Sequence, residues 1–223
     1  MTDADLSAWL EGSIGHAPAD IAMFRAALTH SSHAGASYQR LEFLGDRVLG
    51  LVMSDWLYTL FPAEPEGQLS RRLNALVSGE TCAEIAKEIG VGPLLRLGKQ
   101  ARDDGAQHST YVLGDAVEAL IGALFIEAGL DAARAFVRTR WGARVTDQAT
   151  APKHPKAELQ EFAAAKQWRA PVYTVTHRSG PHHAPRFVVT VEIPGRASAE
   201  GTGTSKQEAE TDAARALLKE YKP

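Results

Sequence analysis

Apolar residues recur every three to four positions through the first 145 residues, and the pattern then changes once. Residues 6–14, 21–28, 38–60, 66–77, 81–89, 111–128 and 131–145 carry this helical spacing. Pro62 and Pro65 close the long third segment. Thr81-Cys82-Ala83-Glu84 has the form of a capping box for the fifth. Residues 98–110, with Asp103-Asp104-Gly105 inside them, read as a mobile connection, and no period-two alternation occurs in this part of the chain. A short polar stretch over 147–152 marks the change. After it come a helix over 155–166, alternating strand patterns over 172–177 and 187–193, and a third strand through 196–201. A last helix covers 205–221, opened by Ser205-x-x-Glu208. The expected fold is mainly α. An all-helical N-terminal domain (1–146) and a linker (147–153) precede a small αβββα domain (154–223).

Four acids interrupt the apolar helices. Glu42 and Asp46 are spaced i,i+4, and Asp115 and Glu118 are spaced i,i+3, so each pair shares a helix face. On the first helix Leu41, Leu44, Val48, Leu51 and Val52 form an apolar stripe. Leu49 and Met53 continue the face that carries the acids. On the second, Gly122 lies one turn beyond the acids and leaves room for a metal, a substrate backbone or another helix. Semi-buried carboxylates are costly unless a cation neutralises them, and hard divalent ions favour oxygen ligands. Salt bridges to Arg40, Arg47 or Arg71 would explain either pair alone. Two such pairs in one chain favour a metal.

These segments also carry a resemblance. Gln39-Arg40-Leu41-Glu42-Phe43-Leu44-Gly45-Asp46-Arg47-Val48-Leu49 resembles the signature of the ribonuclease III family. Gly114-Asp115-Ala116-Val117-Glu118-Ala119-Leu120-Ile121-Gly122-Ala123 resembles its second acidic motif, and Ala27-Leu28-Thr29-His30-Ser31-Ser32 a shorter upstream stretch. Glu66 matches an accessory acidic position. Gln39 departs from the pattern, since many members carry Glu there. The αβββα order resembles a double-stranded RNA-binding domain. Leu159-Gln160-Glu161, Gly180-Pro181-His182-His183 and Gly201-Thr202-Gly203-Thr204-Ser205-Lys206 match its three contact regions.

The resemblance implies a Mg²⁺-dependent endoribonuclease, with Mn²⁺ able to substitute. It would cut double-stranded RNA to 5′-phosphate and 3′-hydroxyl ends with short 3′ overhangs, in processing of ribosomal and other structured RNA precursors. Glu42, Asp115 and Glu118 would hold the metal. Asp46 would hold or orient its water, with Asp46 and Glu118 as the catalytic pair. Gln160 and His183 would contact 2′-hydroxyls, and Lys206 a phosphate at a helix N-terminus. A non-catalytic double-stranded RNA-binding protein on the same fold is the alternative. A metal-dependent phosphohydrolase of small molecules is disfavoured by the C-terminal pattern. A duplex has two antiparallel strands, so a two-fold homodimer is expected. Phe43, Gly50 and Ser54 lie off the apolar stripe, which makes Phe43 a candidate anchor across the interface.

Composition fits this picture once the chain is divided. The net charge of the 223 residues is −3, which alone argues against a polyanion partner. Residues 1–150 hold 13 Lys and Arg against 19 Asp and Glu, a net of −6. Residues 151–223 hold 11 against 8, a net of +3. The one cysteine, Cys82, excludes an internal disulfide, reads as a small core residue and suggests a reducing cytoplasm. The acidic N-terminus lacks the basic start of a signal peptide, and no apolar run approaches the ~18 residues of a membrane span. His30 and His33 read as local hydrogen-bonders. No Walker loop, zinc spacing or Glu-x-x-His pattern occurs.

Overall fold

Two glycines let the central pair of helices meet backbone to backbone. In the computed structural model, described here for residues 2–147, 152, 154–179 and 185–221, these are α3 (Gln39–Leu60) and α7 (Thr110–Asp147). A Cβ on Gly45 would lie 1.7 Å from the Glu118 carbonyl oxygen, and one on Gly122 2.2 Å from that of Leu41. Any larger residue at either position would force the helices apart. The space expected beside Gly122 is therefore taken by another helix.

Around this crossing stand α1 (Asp3–Ile14), α2 (Ile21–Ala27), α4 (Glu66–Leu76), α5 (Gly79–Glu88) and α6 (Lys99–Asp103). Leu49 and Met53 of α3, Ile85 of α5 and Val117, Ile121 and Val137 of α7 are fully buried together. Trp141 is buried among them, and its indole Nε1–H donates to the Leu76 carbonyl at 2.7 Å. A buried aromatic thus gains apolar burial without losing its polar bond. Arg72 is also buried. It forks onto Glu64 at 2.6 and 2.8 Å and lies 3.8 Å over the Phe61 ring.

Several local expectations need correction. Leu51 is 59% exposed, because α7 packs on the Gly45–Leu49–Met53 side and the buried face centres there. Helix α5 starts two residues before the expected Thr81 box. Its cap is Ser78, whose hydroxyl accepts from the Thr81 amide at 3.2 Å. The supposed mobile connection is built from α6 and a 3₁₀ turn, Ala106–His108. The two helices expected over 111–145 run on as α7, but the backbone breaks at Gly129 (φ 81, ψ −178), a conformation that favours glycine.

The chain divides into two compact units, 1–152 and 153–223. The second comprises α8 (Pro155–Ala165), β1 (Val172–Ser179), β2 (Arg186–Ile193), β3 (Ala197–Gly203) and α9 (Lys206–Tyr221). The strands are antiparallel in the order β1-β2-β3, with Val175 opposite Val189 and Val191 opposite Ala199. Leu159, Val189, Val191, Ile193, Ala213 and Leu217 form its core. A Cβ on Gly201 would come 2.0 Å from the Ala213 nitrogen, so α9 lies directly on β3. The Ser205 hydroxyl accepts from the Glu208 amide at 3.1 Å. Glu208 turns instead to the amide and hydroxyl of Thr204, at 2.7 and 2.6 Å, so only half of the expected box forms. The mainly α fold with a C-terminal αβββα domain is the one observed. The expected turn carrying His183 and most of the linker fall outside the described residues.

Gly45→Ala is expected to destabilise the first unit by about 2–3 kcal/mol, because the clash is with fixed backbone. Gly142→Ala, in α7 with nothing within 4 Å of a new Cβ, is expected to stabilise by roughly 0.5–1 kcal/mol. Urea unfolding followed by tryptophan fluorescence compares them. Equal midpoints would mean that the helices are not in close contact at Gly45.

Candidate metal centre

The crossing places acids from distant parts of the chain at one point. Glu42, near the start of α3, meets Asp115 and Glu118 of α7. One carboxylate oxygen from each lies within 4.8 Å of the others, and all three residues are half-buried. Among the described residues, two neutral groups bond to these acids. The Tyr38 hydroxyl donates to Asp115 Oδ2 at 3.1 Å, and the Cys82 thiol faces Glu118 Oε1 at 3.8 Å.

This arrangement disfavours negative charge. Burial raises the Glu118 carboxyl, and the charges of Asp115 and Glu42 raise it further, to about 7. Glu42 is raised by burial and by Asp115, against the opposing pull of Arg47. Asp115 is raised by burial, offset by the Tyr38 hydrogen bond and by His30. Burial beside these acids pushes the Tyr38 hydroxyl and the Cys82 thiol upward as well, so both stay protonated donors. Three converging carboxylate oxygens that, among the described residues, form no ion pair with a side chain suit a hard divalent ion.

Asp46 lies outside this cluster. Its carboxylate pairs with Arg47, whose guanidinium also sits 5.2 Å from the Phe43 ring centroid. For this acid the salt-bridge reading holds as the structure stands. Glu66 accepts from the Ser70 hydroxyl at 2.6 Å at the exposed start of α4. Gln39 accepts from Ser37 at 3.3 Å, on the exposed side of α3. Phe43 is 63% exposed. It borders a groove of about 630 Å³ lined by Ala26, Leu41, Leu44 and Ile126. Leu51 and Tyr58 are exposed on the same helix, at 59% and 75%. His30 accepts from the Ser32 amide at 3.1 Å and His33 bonds its neighbour's carbonyl oxygen, the local roles expected of them.

Tyr38 and Cys82 carry roles that periodicity concealed. Tyr38 reads as the first turn of a helix and Cys82 as core, and both are buried. Only the fold shows that each points at an acid on another helix.

In the second unit, Gln160 of α8 and Lys206 of α9 line one open cleft with His154, Lys156 and Glu210. Glu210 bonds Lys156 at 2.5 Å and lies 3.7 Å from Lys206, so it offsets part of the cleft's positive charge. The third expected contact, His183, lies outside the described residues.

Residues 20–144 match the Ribonuclease-III-like family model, and residues 155–221 match the Double-stranded RNA binding motif. The chain is 58% identical over 216 residues to Ribonuclease 3 of Zymomonas mobilis, covering 97% of this chain and 87% of that one. It is 45% identical over 224 residues to Ribonuclease 3 of Azorhizobium caulinodans, covering 98% and 95%. Among solved structures it resembles the nuclease domain of ribonuclease III from Campylobacter jejuni, described for structural flexibility in a region involved in dimer formation. That match has 33% identity and a TM-score of 0.57 over 63% of this chain and 95% of the other.

The raised carboxyl of Glu118 has a consequence for stability. A folded-state value near 7, above the unfolded 4.5, stabilises the protein fully below pH 4.5. That contribution is lost as pH rises through 7. In EDTA, the melting temperature of Glu118→Gln is expected to gain on wild type between pH 5 and pH 8. Parallel melting curves across that window would show that Glu118 is not destabilised by its neighbours.

Proposed function

The chain belongs to the ribonuclease III family, and from that premise we propose a metal-dependent endoribonuclease that cuts both strands of an RNA duplex. Residues 1–146 would form the nuclease domain and 154–223 the RNA reader, joined by 147–153. The products would be 5′-phosphate and 3′-hydroxyl ends with a short 3′ overhang. Precursors of ribosomal and other structured RNA in the cytoplasm would be the substrates. Among the described residues no helix is long and apolar enough to cross a membrane. The observation that carries this reading is the Glu42–Asp115–Glu118 triad, whose oxygens converge and whose Glu118 carboxyl stays raised although Arg47 partly offsets the repulsion.

Mg²⁺ is the resident ion we propose, with Mn²⁺ able to replace it. Glu42, Asp115 and Glu118 would hold it. Once bound, such an ion acidifies water and offsets charge on the scissile phosphate. Tyr38 engages one Asp115 oxygen and so restrains the carboxylate that would hold the ion. Asp46 would hold a water close to the reacting phosphorus. Its pairing with Arg47 must open for that, and an RNA phosphate is a competing anion for the guanidinium. Glu66 would be an accessory acid at the margin.

The second unit would add affinity. Gln160 would meet 2′-hydroxyls and Lys206 a phosphate near the start of α9, a reading supported by the cleft that both line. His183 is proposed on sequence grounds alone.

We also propose a two-fold homodimer through the outer face of α3. An exposed phenylalanine beside an apolar groove is self-complementary under two-fold symmetry, since each Phe43 can enter its partner's groove. Exposed Leu51 and Tyr58 extend the same apolar face.

Incubation of a long duplex RNA with Mg²⁺ or EDTA, followed by end analysis, tests the activity. Glu118→Gln is expected to slow cleavage roughly a hundredfold or more while duplex binding persists. Efficient cutting in EDTA would overturn the metal reading. Phe43→Ala is expected to weaken the dimer by about 2 kcal/mol or more, roughly thirtyfold in dissociation constant. Sedimentation at micromolar concentration measures this, and an undiminished dimer would refute the anchor.

A further inference from the structure

Tyr38 is buried at 3% exposure, and its surroundings tie it to both halves of the acid cluster. Its carbonyl accepts from the Glu42 amide at 2.8 Å, so it begins the turn that carries Glu42. Its own amide donates to the Thr29 carbonyl at 2.9 Å, which fixes the entry to α3. The ring meets His30 edge-on, with centroids 5.7 Å apart. Its hydroxyl then spans to α7 and donates to Asp115 Oδ2 at 3.1 Å. One side chain therefore links the backbone turn of the first acid to the carboxylate of the second.

Resting on the divalent-ion reading above, we propose that Tyr38 is a positioning residue for the metal. It fixes the rotation of the Asp115 carboxylate by holding Oδ2, and so sets how that carboxylate faces Glu42 and Glu118. A phenol suits this task better than a cation. A lysine or arginine there would neutralise Asp115 and remove part of the charge the ion must find. A neutral donor orients the acid and leaves its charge largely in place. Donors of this kind behind a ligand typically change metal affinity by roughly 10–100-fold when removed. Burial and the His30 edge contact hold the ring, so the hydroxyl does not drift.

Tyr38→Phe removes one oxygen and keeps the ring. Calorimetric titration of the full-length protein with Mn²⁺ alone should show affinity weakened about tenfold or more. Duplex binding in Ca²⁺ should be unchanged. Cleavage at limiting Mg²⁺ should fall and be rescued by excess Mg²⁺, whereas a merely structural role would lower the melting temperature without moving the Mn²⁺ constant. On an Asp115→Asn background, Tyr38→Phe should add no further loss. Unchanged Mn²⁺ affinity in a folded Tyr38→Phe protein would overturn the positioning role. Failure of the wild type to bind Mn²⁺ would instead overturn the metal reading itself. A second measurement needs no variant of Tyr38. With ¹³Cζ-labelled tyrosine, one of the chain's five tyrosine resonances should shift as Mg²⁺ is added to wild type, and none in Asp115→Asn. The absence of any such shift in a wild type that binds Mg²⁺ would equally overturn the proposal.

Discussion

The distance between α3 and α7 governs everything at the acidic site. Carboxylates on different helices can share one ion only if their oxygens converge to within a few ångströms, so the separation and rotation of α3 against α7 decide whether Glu42 reaches Asp115 and Glu118. Gly45 and Gly122 remove the side chains from that contact. Leu49, Met53, Val117 and Ile121, all fully buried, then hold the pair together against the repulsion of its own acids. The apolar core and the charged cluster are two sides of one crossing, and neither position is adjustable without the other.

That coupling sets stability against function. Each acid is raised above its ordinary range, chiefly by burial, so the metal-free site is a local weakness that surrounding packing must offset. The neutral contacts of Tyr38 and Cys82 restrain the acids without quenching their charge. The same logic explains why Arg72, a buried cation, lies elsewhere, locked to Glu64 and Phe61. A guanidinium of that kind beside Asp115 would stabilise the fold and compete with a divalent ion.

Much of this was legible in the chain. Helical spacing located α3, α4 and both halves of α7, and the change to alternation after residue 170 located the small sheet. The same-face spacing of Glu42 on one helix and of Asp115 with Glu118 on another marked the acids that converge. What the pattern could not carry was direction. Periodicity gives a face but not its neighbour, so Leu51 joined the apolar stripe although α7 covers only the other side. It likewise gives no rotamer, so helical spacing alone cannot show that the Asp46 side chain turns to Arg47. The short helices over 99–108 are too brief for a period to register, and the cap of α5 depends on Ser78, a residue before the periodic stretch begins. Tyr38 and Cys82 were visible as residues and invisible as contacts, because their partners lie far along the chain.

The glycine crossing also imposes an order on events. A chain emerging from the ribosome presents Glu42 and the whole of α3 long before Asp115 and Glu118 exist, and an α3 without α7 offers one of the three converging acids and an unfilled Gly45. No ion site can form until the later helix has docked on the earlier one. A truncated or half-folded chain is therefore silent toward metal, and the divalent ion acts as a selective ligand of the finished domain, stabilising it by mass action while leaving incomplete chains untouched.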